Sequence, residues 1–104
     1  MPVTDPRSDR VVLALGTGAA QSADFHVLTQ PVRLQIYGTF GADTADLQIK
    51  DPEGDYVDVY DSNGQVVMSA TRPQVLIDGP GTYRLDYNAR TAAQGASIME
   101  TPKS

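Results

Sequence analysis

Five carboxylates fall within eleven residues: Asp51, Glu53, Asp55, Asp58 and Asp61. An oxygen-rich run of this kind is the ligand type that calcium takes. The spacing departs from an EF-hand loop, because counting from Asp51 places Tyr56 where that loop needs Gly and Ser62 where it needs its bidentate Glu. Asp51-Pro52-Glu53-Gly54 reads instead as a tight turn, with Pro52 presetting φ and Gly54 able to take a positive one. Asp58 and Asp61 then read as solvated outer-face or turn residues. Paired carboxylates can also hydrolyse glycosides, but these lie on turns of a chain too short to offer an evident cleft. The single histidine, His26, sits in Asp24-Phe25-His26-Val27-Leu28, where alternation puts Phe25 and Val27 on one face and His26 with Leu28 on the other. With no second His and no carboxylate at ligand spacing, His26 is expected to be a partly buried structural residue. Gly16-Thr17-Gly18 is followed by Ala-Ala-Gln-Ser without a Lys, so it reads as a flexible connection and not a phosphate loop. No catalytic, metal or cofactor residue emerges, and the expectation is a protein that is not an enzyme.

Composition points the same way. The chain has 104 residues, no Cys and no Trp, which removes disulfide frameworks, thiolate metal sites and cysteine nucleophiles together. Thirteen acids against eight bases give a net charge of −5, with Lys50 and Lys103 the only lysines. That balance argues against a nucleic-acid surface, which rests on clustered Lys and Arg. No apolar run approaches the ~18 residues of a membrane span, and Met1 to Arg10 lacks the apolar centre of a signal peptide. A soluble chain made in the cytoplasm is expected, with no membrane partner. The length suits one domain: a flexible arm over 1–10, a folded unit over 11–100 and a tail over 101–104.

The elements that would position any site are strands. Hydrophobicity alternates with period two, and Gly or Pro interrupts it at short intervals. Val32, Leu34 and Ile36 share one face of the clearest strand, and Arg33, Gln35 and Tyr37 the other. Leu47 to Ile49, Val75 to Ile77 and Tyr83 to Tyr87 repeat the alternation, with weaker candidates over Val11 to Leu15, Asp24 to Leu28 and Ser97 to Glu100. Thr91 to Gly95 reads as the loop before the last of these. The expected fold is all-β, a single antiparallel β-sandwich, immunoglobulin-like or jelly-roll-like. Its expected core includes Val32, Leu34, Ile36, Leu47, Ile49, Val57, Val59, Met68, Val75, Ile77, Tyr83 and Leu85. Asn63-Gly64 between Tyr56-Val-Asp-Val-Tyr60 and Gln65-Val-Val-Met68 predicts a type I′ hairpin that sets Tyr60 opposite Val67 and Val59 opposite Met68. That register leaves Tyr56, Tyr60 and Val67 on an outer face as a candidate partner-binding patch, with Arg33 and Tyr37 as candidate additions.

The succession Gln30-Pro-Val-Arg-Leu-Gln-Ile-Tyr-Gly38, Leu47-Gln-Ile49, Glu53-Gly-Asp-Tyr-Val-Asp-Val59 and Gly79-Pro-Gly-Thr-Tyr-Arg-Leu85 resembles a family of small virion proteins of tailed bacteriophages. The resemblance covers about residues 20 to 100, and Tyr56 stands where many relatives carry Trp. It implies an immunoglobulin-like or related sandwich and a non-enzymatic role as capsid decoration, head-fibre or tail component. It also implies virion localisation and other virion proteins as partners, the major capsid protein foremost, and it permits a homo-oligomer such as a trimer. The alternative function is a carbohydrate or host-surface binding module, in which Tyr37, Tyr56 and Tyr60 would stack on sugars.

Overall fold

The computed structural model describes residues 9–100. It contains twelve strands: β1 (Asp9–Gly16), β2 (Ala20–Gln21), β3 (Phe25–Val27), β4 (Val32–Gly38), β5 (Ala45–Lys50), β6 (Tyr56–Asp58), β7 (Tyr60–Asp61), β8 (Gly64–Gln65), β9 (Val67–Met68), β10 (Gln74–Ile77), β11 (Gly81–Tyr87) and β12 (Gln94–Glu100). Sheet A has the order β1-β12-β4-β10. Sheet B is built on β2-β11-β5-β6, with β3 also against β11 and β9 also against β5, and β7 with β8 forms a separate small hairpin. All pairings are antiparallel.

The period-two pattern has its expected consequence. On β4, Val32, Leu34 and Ile36 are buried between the sheets, and on β11 Tyr83, Leu85 and Tyr87 are buried opposite them. Phe25, Val27, Ala45, Leu47 and Met68 complete the sheet B side of the core, and Val12, Leu13, Ala96 and Ile98 the sheet A side. Phe25 stacks on Tyr83 with ring centroids 6.1 Å apart. The protein is an all-β sandwich. The chain crosses between sheets repeatedly, so each strand of sheet A is separated from the next by an excursion into sheet B.

Several expectations need correction. Asp9 and Arg10 are not part of an arm, since they pair with Met99 and Ile98 in β1; residues 1–8 and the tail over 101–104 lie outside the described residues. The loop expected over Thr91 to Gly95 ends earlier, because β12 begins at Gln94. Val57, expected in the core, is 45% exposed, because β6 is a three-residue strand at the border of sheet B. Ile49, Val59 and Val75 are partly buried against the core.

The hairpin register also differs. Tyr60 pairs with Gln65 and Asp61 with Gly64, so the turn is centred on Ser62 and Asn63, one residue earlier than expected, and each cross-strand partner shifts by two. Gly64 has φ +115°, while Asn63 keeps a negative φ, and the Asn63 N–H donates to Asp61 Oδ1 at 2.8 Å. A turn with one positive-φ glycine after it suits this geometry, and it satisfies the Asp61 carboxylate locally. Val67 consequently pairs with Asp46 on β5 and not with Tyr60, and Met68 pairs with Ala45 and not with Val59.

Candidate functional site

The sequence-expected residues divide among three places. Arg33 and Tyr37 lie on the outer face of sheet A, opposite in sense to the buried Leu34 and Ile36. Tyr56 and Val67 lie on the outer face of sheet B: Tyr56 pairs with Lys50 and Val67 with Asp46, both outward positions of β5. Tyr60 stands on the small hairpin at the mouth of a cleft shared with β10. The patch expected from the hairpin register is therefore not contiguous.

The outer face of sheet B is polar and internally bonded. The Arg84 guanidinium lies 3.8 Å from the centroid of the Tyr56 ring. Its Nε donates to Gln48 Oε1 at 2.8 Å and one terminal nitrogen to Gln21 Oε1 at 3.1 Å. Gln48 in turn donates to Asp58 Oδ1 at 3.2 Å, and the Tyr56 hydroxyl donates to Asp24. That bond to the carboxylate raises the Tyr56 pKa above its ordinary value. Asp46 is also raised, by burial first and then by the charges of Asp58 and Asp86. This face carries Asp24, Asp46, Asp58 and Asp86 against Lys50 and Arg84, a net negative surface whose tyrosine is already engaged.

Sheet A presents a different surface. Val11 and Leu15 are 58% and 55% exposed, and Val11 shares one surface depression with Gln35, Tyr37 and Ser97. Tyr37 crosses its neighbour at Gly95: a Cβ there would sit 2.9 Å from the tyrosine oxygen and 2.7 Å from the Leu13 carbonyl oxygen. Glycine lets the ring lie flat over β12. Among the side chains described on this face, Arg33 is the one that carries charge.

The remaining expectations resolve as follows. Asp51, Glu53 and Asp55 do bring carboxylate oxygens within 4.8 Å of one another, while Asp58 and Asp61 are held elsewhere. Asp51 Oδ1 accepts the backbone N–H groups of Glu53 and Asp55, each at 2.9 Å. The Gly54 N–H closes a turn onto the Asp51 carbonyl at 2.9 Å, with Gly54 at φ +93°. The cluster is a turn that Asp51 organises. His26 is exposed and not partly buried, with Nδ1 2.9 Å from Thr82 Oγ1, because its strand borders sheet B and its side chain points outward.

The reading of single residues missed Arg90, which is only 8% exposed. Its guanidinium donates to four backbone carbonyls, those of Ala14, Thr17, Gly18 and Gln94, at 2.7 to 3.2 Å. The Gly16 to Gly18 connection expected to be flexible is thereby tied down, and the Gly18 N–H donates back to the Arg90 carbonyl at 2.9 Å. Beside it the buried Tyr87 hydroxyl donates to Gln94, and Gln94 donates to Asp43, which also accepts the Thr91 N–H and hydroxyl. Every buried side-chain polar atom among the described residues has a partner, so this network is structural.

One comparison with known proteins is informative. The chain is similar in fold to the SPBc2 prophage-derived protein YomS, whose crystal structure superposes with a TM-score of 0.73, 11% sequence identity, and coverage of 96% of this chain and 97% of that one. No family model matches the chain, and no curated protein does. The match spans both sheets from end to end, so the sandwich is a shared fold and not an assembly of common hairpins.

Proposed function

We propose that this chain is a non-enzymatic bacteriophage virion protein that binds neighbouring virion subunits, most directly the major capsid protein, as a capsid decoration or cement protein. The observation that supports this reading is the end-to-end similarity in fold to a prophage-derived protein of almost the same extent. The outer face of sheet A is the docking surface in this reading. It carries Arg33 and Tyr37 on one face of β4, with the exposed Val11 beside Tyr37, and interface centres are depleted in charge and enriched in aromatic residues and Arg. Tyr56 and Val67 lie on the opposite face, where Tyr56 is committed to Arg84 and Asp24.

The test is co-sedimentation of the purified protein with heads and with tails isolated from a phage that encodes it. Saturable binding to heads is the expected result. Binding to tails alone would reassign the protein to the tail, and binding to neither, with a signal on a glycan array, would replace the reading by a host-surface module.

A further inference from the structure

Asn63 is exposed at the tip of the β7–β8 hairpin, and among the described residues its side-chain amide has no hydrogen-bond partner. Only its backbone N–H is engaged, by Asp61 Oδ1 at 2.8 Å. The next residue is Gly64, with φ +115° and open space where a side chain would stand. The amide carbon of an asparagine lies at five-membered-ring distance from the backbone nitrogen of the residue that follows, and a Cβ on that residue is what obstructs their approach. Gly64 removes the obstruction. The hairpin supplies the motion, because β7 and β8 are two residues each and form a ladder separate from both sheets. So short a ladder opens locally at far less cost than global unfolding.

We infer that Asn63 is a site of spontaneous deamidation, at which the Gly64 backbone nitrogen is the nucleophile and water the co-reactant. The Gly64 nitrogen gives its proton to solvent base and bonds to Asn63 Cγ. The bond from Cγ to Nδ2 breaks, and Nδ2 takes up a proton and leaves as ammonia. The product is a five-membered succinimide. Water then adds to one of its two carbonyl carbons. If the bond between Cγ and the Gly64 nitrogen breaks, the ordinary backbone returns with an aspartate side chain. If the bond between the Asn63 carbonyl carbon and that nitrogen breaks, the chain runs through Cγ as isoaspartate and the former backbone carbonyl becomes a free carboxylate. Ammonia leaves and water enters, with no change of oxidation state. Either product adds one negative charge to a chain of net charge −5.

Two other places in the chain share part of this chemistry and lack its setting. Asn88, the other asparagine, is exposed but is followed by Ala89, whose Cβ stands in the way. Asp78 precedes Gly79, but the Gly79 carbonyl is held by the Tyr83 hydroxyl at 2.7 Å, and a Cβ at Gly79 would lie 3.3 Å from that oxygen. The change at Asn63 falls beside the mouth of a cleft of about 240 Å³ that Tyr60, Asp61 and Arg72 help to line. Its carboxylate stands two residues from Asp61, the residue that holds Arg72 at 3.4 Å. Isoaspartate also adds one atom to the backbone of the turn, so the pairing of Asp61 with Gly64 cannot keep its register.

Incubation of the full chain at mildly alkaline pH and body temperature tests it, with peptide mapping by mass spectrometry to locate the gain of about 1 Da and isoaspartyl methyltransferase to detect isoaspartate. Expected is loss of Asn63 at least tenfold faster than loss of Asn88, with aspartate and isoaspartate both formed at position 63 and a rate that rises with pH. The rate in the folded protein should lie within about tenfold of that in the urea-unfolded chain, because the hairpin opens locally. Asn63→Gln should abolish the fast step, since its ring would be six-membered. Gly64→Ala should slow it at least tenfold in the urea-unfolded chain as well as in the folded one, which separates the missing Cβ from any disturbance of the hairpin. Loss of Asn63 no faster than that of Asn88, a folded-state rate more than tenfold below the unfolded one, or a mass gain in the same peptide that persists in Asn63→Gln would overturn the inference. The measurement uses the isolated protein, so its failure is distinct from failure to bind heads.

Discussion

Arg90 shows how much one buried side chain can decide. It holds a charge in the interior with four carbonyl oxygens as its acceptors, from the end of β1, the connection after it and the start of β12. Removing the guanidinium leaves those oxygens without their donor, and Arg90→Ala should lower stability by about 3 kcal/mol or more in urea denaturation. Arg90→Lys should recover little, because an ammonium has three donors on a flexible stem in place of a planar fork. Asp46 provides a test with the opposite sign. Its folded pKa is raised above 3.8 by burial and by Asp58 and Asp86, so the folded state holds the proton more tightly than the unfolded chain does. Stability from this group is therefore lost as pH rises through the window just above 3.8. Asp46→Asn should raise the urea midpoint at pH 7, and its advantage over the parent should vanish as pH falls below that window. Asp61, whose pKa is lowered first by its bond from the Asn63 N–H, loses its contribution as pH falls, but it does so in both proteins and cancels in the comparison.

At the scale of elements, strand identity followed from alternation while strand ends and pairings did not. Ile36 on β4 is almost fully buried, and Ile36→Ala should cost roughly 2 to 5 kcal/mol. Val57 carries the same apparent alternation but sits exposed on short β6, so Val57→Ala should cost well under about 1 kcal/mol in the same denaturation series. Gly38 marks where β4 must stop. It has φ +114°, and a Cβ there would lie 2.3 Å from the Ala93 carbonyl oxygen. Gly38→Ala should cost about 1 to 3 kcal/mol from the backbone conformation alone, with the clash added, read as a lowered melting temperature. The Asn63-Gly64 pair was legible as a turn, but its register was set by tertiary contacts. Val66 is buried, its N–H donating to Val59 and its carbonyl accepting from Leu47. Burying Val66 draws the chain into sheet B just past the hairpin, and a continuous two-stranded ladder out to Met68 would prevent that.

For the molecule as a whole, the two outer faces differ in kind, and that difference carries the functional reading. The sheet B face is acidic and cross-linked by its own hydrogen bonds, whereas the sheet A face sets Tyr37 and the exposed Val11 and Leu76 among the uncharged Gln35, Gln74 and Ser97, with Arg33 as its described charge. The double change Arg33→Glu with Tyr37→Ala should weaken binding to phage heads at least tenfold, measured by co-sedimentation, with the fold intact by circular dichroism. Tyr56→Ala should leave head binding within about twofold of the parent, because that ring stacks on Arg84 of its own chain.

The sequence alone determined the all-β class, the inward faces of β4, β5 and β11, the turn at Asp51 to Gly54 and the outward setting of Arg33, Tyr37 and Tyr56. Each of these is a local consequence of period-two alternation or of turn chemistry, and local rules need no knowledge of neighbours. Tertiary structure decided which strands share a sheet, and with it the separation of Tyr56 and Val67 from Arg33 and Tyr37. It also decided the burial of Arg90 and Val66 and the exposure of His26 and Val57. Those outcomes depend on contacts between residues far apart in the chain, such as Arg90 with Ala14 or Gln74 with Gln35. A repeating pattern of two specifies which way a side chain points, and not what lies beyond it.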